Sequence, residues 1–245
     1  MGRRADLRLT RSPFNLRDVK TETAAAAARP DAAGFVLAGG RSSRMGADKA
    51  LSPLAGKPLV AHALATLRAA GLAAAIAGAR VPLEAYAPVV EDAEPDGGPL
   101  SGICAALKST SARWAVFLPV DLPLLPASLV VFLLHRARIS GAAVTVAEVN
   151  GFPQTFPAVL DRAVLAPLEV EFRAGRSGCF SGFQAASAAL DRPLVVLPVE
   201  MLVQSGHVAH PEALLAARWF LNVNAPADLA TATTVRGAQN PLSIG

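Results

Sequence analysis

The chain predicts an α/β protein with a mostly parallel sheet covered by helices. Three observations lead there. Short apolar runs that read as strands alternate with longer stretches of helical periodicity, from about residue 34 toward the C-terminus. No repeat period interrupts them, and such alternation is the pattern of parallel strands joined by crossover helices. The 245 residues, 52% hydrophobic and 17% charged, supply a sizeable core for one large domain or two small ones.

The first strand is the apolar run Gly34 to Ala38. It feeds the stretch Leu37-Ala38-Gly39-Gly40-Arg41-Ser42-Ser43-Arg44-Met45-Gly46-Ala47-Asp48-Lys49. Two glycines let the backbone turn sharply and approach a ligand closely. Successive N–H groups in such a turn form a concavity for anions. Arg41, Arg44 and Lys49 add positive charge directly behind it. A strand, a glycine turn and three cations suit a nucleoside triphosphate, although the spacing is neither the P-loop nor the G-x-G-x-x-G fingerprint.

Pro58 opens a helix to about Ala70, with Leu59, Ala63, Leu67 and Ala70 near one face and Gly71 as its C-cap. Leu72 to Ala77 is the next strand, and Pro88 to Val90 a third, ending at Glu91 and Asp92. The loop Asp96-Gly97-Gly98-Pro99-Leu100-Ser101-Gly102 leads into a helix from Leu100 to Lys108. Loops of this kind cluster at the carboxyl ends of strands, where open α/β sheets bind ligands. Trp114 to Leu118 is a strongly apolar strand, followed by Asp121. A carboxylate there is placed to hold Mg²⁺ against triphosphate oxygens; a turn cap is the plain alternative. Pro126 starts a helix to Arg138, Ala142 to Val149 is a strand, and Gly151 to Leu160 supplies a loop and strand. Asp161 to Phe172 reads as a helix. Arg173 to Gly178 is a basic turn, either facing a substrate phosphate or capping that helix. Val195 to Val199 is a strand, and Trp219 to Ala230 reads as a closing strand followed by a short helix. Asn222 and Asn224 at that strand end are unusual, since Asn is depleted in strands.

Composition narrows the function classes. Aromatics make up 5%, too few for a surface built on base stacking. No apolar run reaches the roughly 18 residues of a membrane span. Cys104 and Cys179 have no C-x-x-C spacing and read as small buried hydrophobes of a reduced, cytoplasmic protein. His62, His135, His207 and His210 show no metal-ligand spacing, and His207 and His210 read as surface residues. Residues 1–33 hold seven Lys/Arg and four Asp/Glu, so +3 of the net +4 sits in this stretch and the charge says little about partners. It has no h-region of a secretory signal. The expected layout is a disordered basic tail over 1–33, one domain over 34–235 and a C-terminal tail over 236–245, with neither nucleic acid nor membrane as partner.

Four strings occur in register: L-A-G-G-x-S-x-R-M-G-x-x-K at 37–49, G-P-L-x-G at 98–102, D-x-P-x-L-P at 121–126 and N-x-N-x-P-x-D-L at 222–229. Together they resemble nucleotidyltransferases of doubly wound α/β architecture, and the first looks most like the molybdenum cofactor guanylyltransferases. The resemblance implies a nucleotide-diphospho-sugar-transferase-like Rossmann fold with helices on both faces. It implies Mg²⁺-dependent transfer of GMP from GTP to the terminal phosphate of molybdopterin, with pyrophosphate released. Leu37, Ala38, Gly39 and Gly40 would cradle phosphates and nucleoside. Arg44 and Lys49 would neutralise pyrophosphate charge, and Asp121 would hold Mg²⁺. Asp92 and Gly98 would meet the nucleoside, and Asn224 would help hold the metal or the acceptor phosphate. Transient contact with molybdoenzyme-maturation proteins is also implied. One departure concerns the base: Ala77-Gly78-Ala79-Arg80 lacks the asparagines that the family often places near the nucleotide. The alternatives are a cytidylyltransferase of the same cofactor, whose relatives tend to carry Ala where Gly39 stands, a sugar-phosphate nucleotidyltransferase, or a non-catalytic nucleotide-binding regulator.

Overall fold

The apolar run after Asp31 forms the first strand, β1, over Ala32–Leu37. It takes in Ala32 and Ala33, which the sequence pattern assigned to the tail, because Ala32 pairs with Trp114 and is buried. The computed structural model describes residues 30–39, 49–78, 83–92, 94 and 97–237. Most of the expected N-terminal tail and residues 238–245 of the expected C-terminal tail lie outside these.

The chain continues through a small hairpin, β2 (Pro53–Leu54) and β3 (Lys57–Pro58), then α1 (Leu59–Ala69), β4 (Ala74–Ala77) and β5 (Val89–Val90). Next come α2 (Gly98–Ser109), β6 (Trp114–Pro119), α3 (Ala127–Ser140), β7 (Val144–Val149) and β8 (Phe152–Asp161). The last part holds α4 (Leu165–Arg173), α5 (Cys179–Ala189), β9 (Leu194–Pro198), α6 (Val199–Gln204), α7 (Ala216–Trp219) and α8 (Pro226–Gly237). Among the described residues the main sheet has seven strands in the order β5-β4-β1-β6-β8-β7-β9. All run in one direction except β8, which is antiparallel to β6 and β7. The reversal has a local cause. Asn150 and Gly151 both take positive φ, 51° and 78°, the requirement of a two-residue turn whose twist suits a hairpin.

Strand alternation divides the core in two. Val36, Val116 and Leu118 face a layer that includes Leu64 and Leu67 of α1, Leu133 of α3, Leu202 of α6 and Trp219 of α7. Phe35, Leu37, Ala115 and Phe117 face the other layer, with Leu100 and Ile103 of α2, Leu168 of α4 and Phe183 of α5. Phe35 and Phe117 stack across neighbouring strands with centroids 5.5 Å apart. Each large side chain buried this way contributes about 1.5–3 kcal/mol, so the doubly wound arrangement has apolar support on both faces.

Two expected elements differ. The stretch from Asp161 does not open a helix: β8 runs through Asp161, whose carboxylate accepts the N–H of Ala163 at 2.9 Å and caps a short 3-10 turn before α4. The expected strand from Trp219 is instead the end of α7 and an irregular segment. There the Val223 N–H goes to the Asp121 carbonyl at 2.9 Å rather than to a sheet neighbour.

Asp161 closes the amino-terminal side of the sheet. It is 5% exposed and accepts hydrogen bonds from Arg192 at 2.7 Å and Arg113 at 3.2 Å. Burial pushes its pKa up, but the bonds from Arg192, the Ala163 N–H and Arg113 outweigh burial, and the net value lies below the ordinary 3.8. A depressed folded value means the stabilisation is complete above the unfolded value and is lost as pH falls through the folded one. Asp161→Ala is expected to cost about 2–4 kcal/mol at neutral pH, because two guanidinium groups lose their buried acceptor. Urea unfolding at pH 7 and pH 3 checks this: the gap between wild type and variant narrows at pH 3.

Candidate active site

The sheet order places a topological switch at β1. The chain moves from β1 outward to β4 and β5, then returns to add β6 on the other side. Crevices outside the carboxyl ends of strands at such a point are the usual ligand sites of open α/β sheets. Backbone bonds tie three strand ends together there: the Ala38 N–H donates to Ala77 at 3.0 Å, and the Val120 N–H donates to Leu37 at 3.1 Å. Leu37 has its side chain in the core and its carbonyl in the sheet, and the Ala38 amide is also spent. What Leu37 and Ala38 offer a ligand is thus narrowed toward the Ala38 carbonyl, while the Leu37 carbonyl and the Ala38 amide serve the sheet.

Gly39 lies against the end of β4. A Cβ at this position would stand 2.5 Å from the carbonyl oxygen of Gly78, which itself has φ +70°. Both are backbone constraints, so no side-chain adjustment relieves them.

Lys49 returns to the same edge at the start of a short 3-10 turn, Lys49–Leu51. Its ammonium donates to Asp121 Oδ2 at 3.1 Å and to Asn224 Oδ1 at 2.5 Å. Three of the expected site residues thus meet at one point. Asp121 follows β6 and is anchored through its carbonyl by the Val223 N–H. The Lys49 and Asp121 side chains are 15% and 26% exposed. The pair is therefore partly shielded from water while still lying at the carboxyl edge of the sheet, where it places a cation among oxygen ligands.

Asp92 and Gly98 form a second corner of the same edge, beyond β5. Asp92 Oδ1 accepts the Glu94 N–H at 3.1 Å and the hydroxyl of Ser101, which is buried in α2. The Asp92 carboxylate thereby ties the end of β5 to the first turn of α2. Gly98 opens that helix with φ +73°, and a Cβ there would meet nothing within 4 Å. Gly40, Arg44 and the rest of 40–48 lie outside the described residues, as do Ala79, Arg80 and Asp96.

Several contributors were not singled out by sequence. Gly78 lies in the stretch noted for its missing asparagines, and Ser101 holds the variable position of G-P-L-x-G. His210 is half-buried rather than a surface residue. Its Nδ1 accepts the Glu212 N–H at 3.0 Å, so Nε2 carries the proton toward the Leu124 carbonyl at 3.1 Å and steadies the loop behind Asp121. The basic turn 173–178 is a helix cap: Arg176 pairs twice with Glu171, at 2.6 and 2.7 Å, and Arg173 pairs with Glu169 at 3.1 Å. Burial pushes the thiols of Cys104 and Cys179 up to about 11 and about 12, so both are inert at neutral pH.

A cation poised between a carboxylate and an amide, beside Gly39 at the switch point, has the charge and oxygen donors that a phosphate ligand could exchange with. Residues 34–244 match the family model of the MobA-like NTP transferase domain. The chain belongs to this family. Among MobA-like relatives, the probable molybdenum cofactor guanylyltransferase of Haloferax mediterranei is 32% identical over 206 residues, spanning 80% of this chain and 90% of that protein. The molybdenum cofactor guanylyltransferase of Cupriavidus pinatubonensis is 42% identical over 125 residues, 49% of this chain and 62% of the relative. The solved structure of molybdopterin-guanine dinucleotide biosynthesis protein A from Archaeoglobus fulgidus shares the fold, with a TM-score of 0.66 at 21% identity, covering 84% of this chain and 98% of that one. The MobA-like chain is a nucleotidyltransferase. Among its described residues no helix is long and apolar enough to cross a membrane, and no three His, Cys, Asp or Glu side chains cluster as a metal site.

Gly39→Ala tests the close approach of β1 and β4. The backbone overlap is expected to cost about 2 kcal/mol, which lowers the melting temperature by about 4–8 °C in a domain of this size. Thermal unfolding checks the stability loss, and calorimetric titration with nucleoside triphosphate is expected to show weakened binding.

Proposed function

We propose that the protein transfers GMP from GTP to the terminal phosphate of molybdopterin, in the cytoplasm and with Mg²⁺, releasing pyrophosphate. The observation that carries this reading is the Lys49 ammonium held between Asp121 and Asn224 at the switch point, in a chain whose relatives are molybdenum cofactor guanylyltransferases.

The chemistry asks little covalent work of the protein. A phosphate oxygen of the acceptor attacks the α-phosphorus of GTP, the bond from that phosphorus to the bridging oxygen breaks, and pyrophosphate leaves. Catalysis is then positioning and charge stabilisation. Lys49 turns from Asp121 toward the polyphosphate and balances the charge that develops on the leaving group, with Arg44 as the second cation. Gly39 and Gly40 let the backbone reach the phosphates. Asp92, by tying β5 to α2, holds the loop at Gly98 against the nucleoside.

The donor set fits Mg²⁺. Asp121 and Asn224 supply two hard oxygens that already converge on one cation, the Lys49 ammonium, and Mg²⁺ commonly takes one or two protein oxygens plus substrate phosphates. Asp121 and Asn224 would hold Mg²⁺ there, and the ion would supply charge neutralisation to the phosphate oxygens. Lys49 keeps Asp121 neutralised until the triphosphate offers Lys49 a better partner.

Cytidylyl transfer to the same acceptor, or nucleotidyl transfer to a sugar phosphate, is the second reading, since Ala77 to Arg80 lacks an asparagine to read the base. Gly39 weighs against the cytidylyl form: the alanine of those relatives would meet the Gly78 carbonyl here. Contact with molybdoenzyme-maturation proteins fits a product that must be handed on.

Pyrophosphate release on mixing GTP, Mg²⁺ and molybdopterin is the test, with CTP, ATP and UTP alongside. Lys49→Ala and Asp121→Asn are each expected to lower turnover by about two orders of magnitude or more, while their melting curves stay close to wild type. Wild-type rates in either variant would remove that residue from the site, and nucleotide binding without pyrophosphate release would make the protein a regulator.

A further inference from the structure

Asn224 has two neighbours that fix it from opposite sides. On one side the Val223 N–H donates to the Asp121 carbonyl at 2.9 Å. On the other, Asp228 Oδ2 accepts both the Asn224 N–H, at 2.7 Å, and the Ala225 N–H, at 2.8 Å. Asp228 is the acidic residue in the first turn of α8. The residue that enters this helix, Ala225, has no side-chain oxygen to cap it. The acid three residues on instead reaches back to the entering amide, the acceptor half of a reciprocal cap. A carboxylate also suits the positive end of the helix. The unusual feature is that the same oxygen extends one residue further, to the amide of Asn224, whose side chain touches Lys49.

We propose that Asp228 is a positioning residue for nucleotidyl transfer: its carboxylate holds the backbone of Asn224 so that the Asn224 amide oxygen stays beside Asp121, at the place the Lys49 ammonium occupies in the protein alone. The inference rests on the reading of Lys49, Asp121 and Asn224 as the transfer site. The carboxylate's effect on the site is separable from its effect on the helix. Ala232 of α8 is fully buried, and Leu229 and Val235 pack against the core, so the helix stays docked without its cap. Both bonds use a single oxygen, so the neutral amide of Asn, which keeps one acceptor oxygen, is sufficient, whereas Ala is not.

The experiment measures amide hydrogen exchange at 224 and 225 together with pyrophosphate release, in wild type, Asp228→Ala, Asp228→Asn, Asn224→Ala and the double variant Asn224→Ala/Asp228→Ala. In Asp228→Ala the two amides are expected to exchange about tenfold faster or more. Its kcat is expected to fall about tenfold, with KM for GTP changed by less than about threefold, because a misplaced catalytic amide costs rate more than binding. Asp228→Asn is expected to restore both readouts to within about threefold of wild type. In the Asn224→Ala background, Asp228→Ala is expected to add less than about twofold, as residues acting through one another are non-additive. Protected amides or an unchanged kcat in Asp228→Ala would overturn the proposal, and so would additive losses in the double variant. If the wild-type protein released no pyrophosphate from GTP and molybdopterin, the proposed reaction would fail, while exchange at 224 and 225 would still decide whether Asp228 holds Asn224.

Discussion

A single ammonium group joins three parts of this chain that are far apart in sequence. Lys49 is 72 residues from Asp121 and 175 from Asn224, yet its Nζ bonds to both. Nothing local brings them together. Lys49 opens the short 3-10 turn that follows β1 in element order, Asp121 leaves the end of β6, and Asn224 lies between α7 and α8. They meet because β1 and β6 are parallel neighbours with Leu37 opposite Pro119, so both deliver their following loops to one edge. A change in strand order would scatter all three.

In the proposed reaction this contact also keeps Asp121 and Asn224 together before a nucleotide arrives. Polyphosphate, Asp121 and Asn224 all present oxygen, and a carboxylate beside a triphosphate repels it unless a cation intervenes. The ammonium fills that place in the protein alone. The pair is partly buried, with the Lys49 and Asp121 side chains 15% and 26% exposed. The fold draws its stability elsewhere, from the two apolar layers and from the Arg113–Asp161–Arg192 cluster at the opposite end of the sheet.

Much of this was legible in the sequence, and the failures have physical causes. Lys49, Asp121 and Asn224 each stand in a recognisable string, and the strand before each of the first two is marked by its apolar run. Their meeting was not legible, because contact across such separations depends on topology rather than on spacing. The segment 219–224 alternates like a strand, but its amides are claimed by the Asp121 carbonyl and the Asp228 carboxylate. Asp161 looked like a helix start, and it does cap a turn, but three donors fix it as the last residue of β8. The reversal of β8 was written in the Asn150–Gly151 pair, a hairpin signature strong enough to outweigh the surrounding βα alternation. Gly78 stood in a stretch marked only by what it lacks, since its carbonyl becomes important only through Gly39, which follows the neighbouring strand β1.

In the proposed reaction Lys49 holds the place of a metal beside Asp121 and gives it up when a nucleotide binds. A crystal structure with Mn²⁺ and a non-hydrolysable GTP analogue, read at the manganese anomalous edge, tests it most directly. The expected result is one anomalous peak against the Asp121 carboxylate, with the Lys49 ammonium moved onto the phosphates. Nucleotide bound with the Lys49–Asp121 pair intact, or manganese placed away from Asp121, would contradict it.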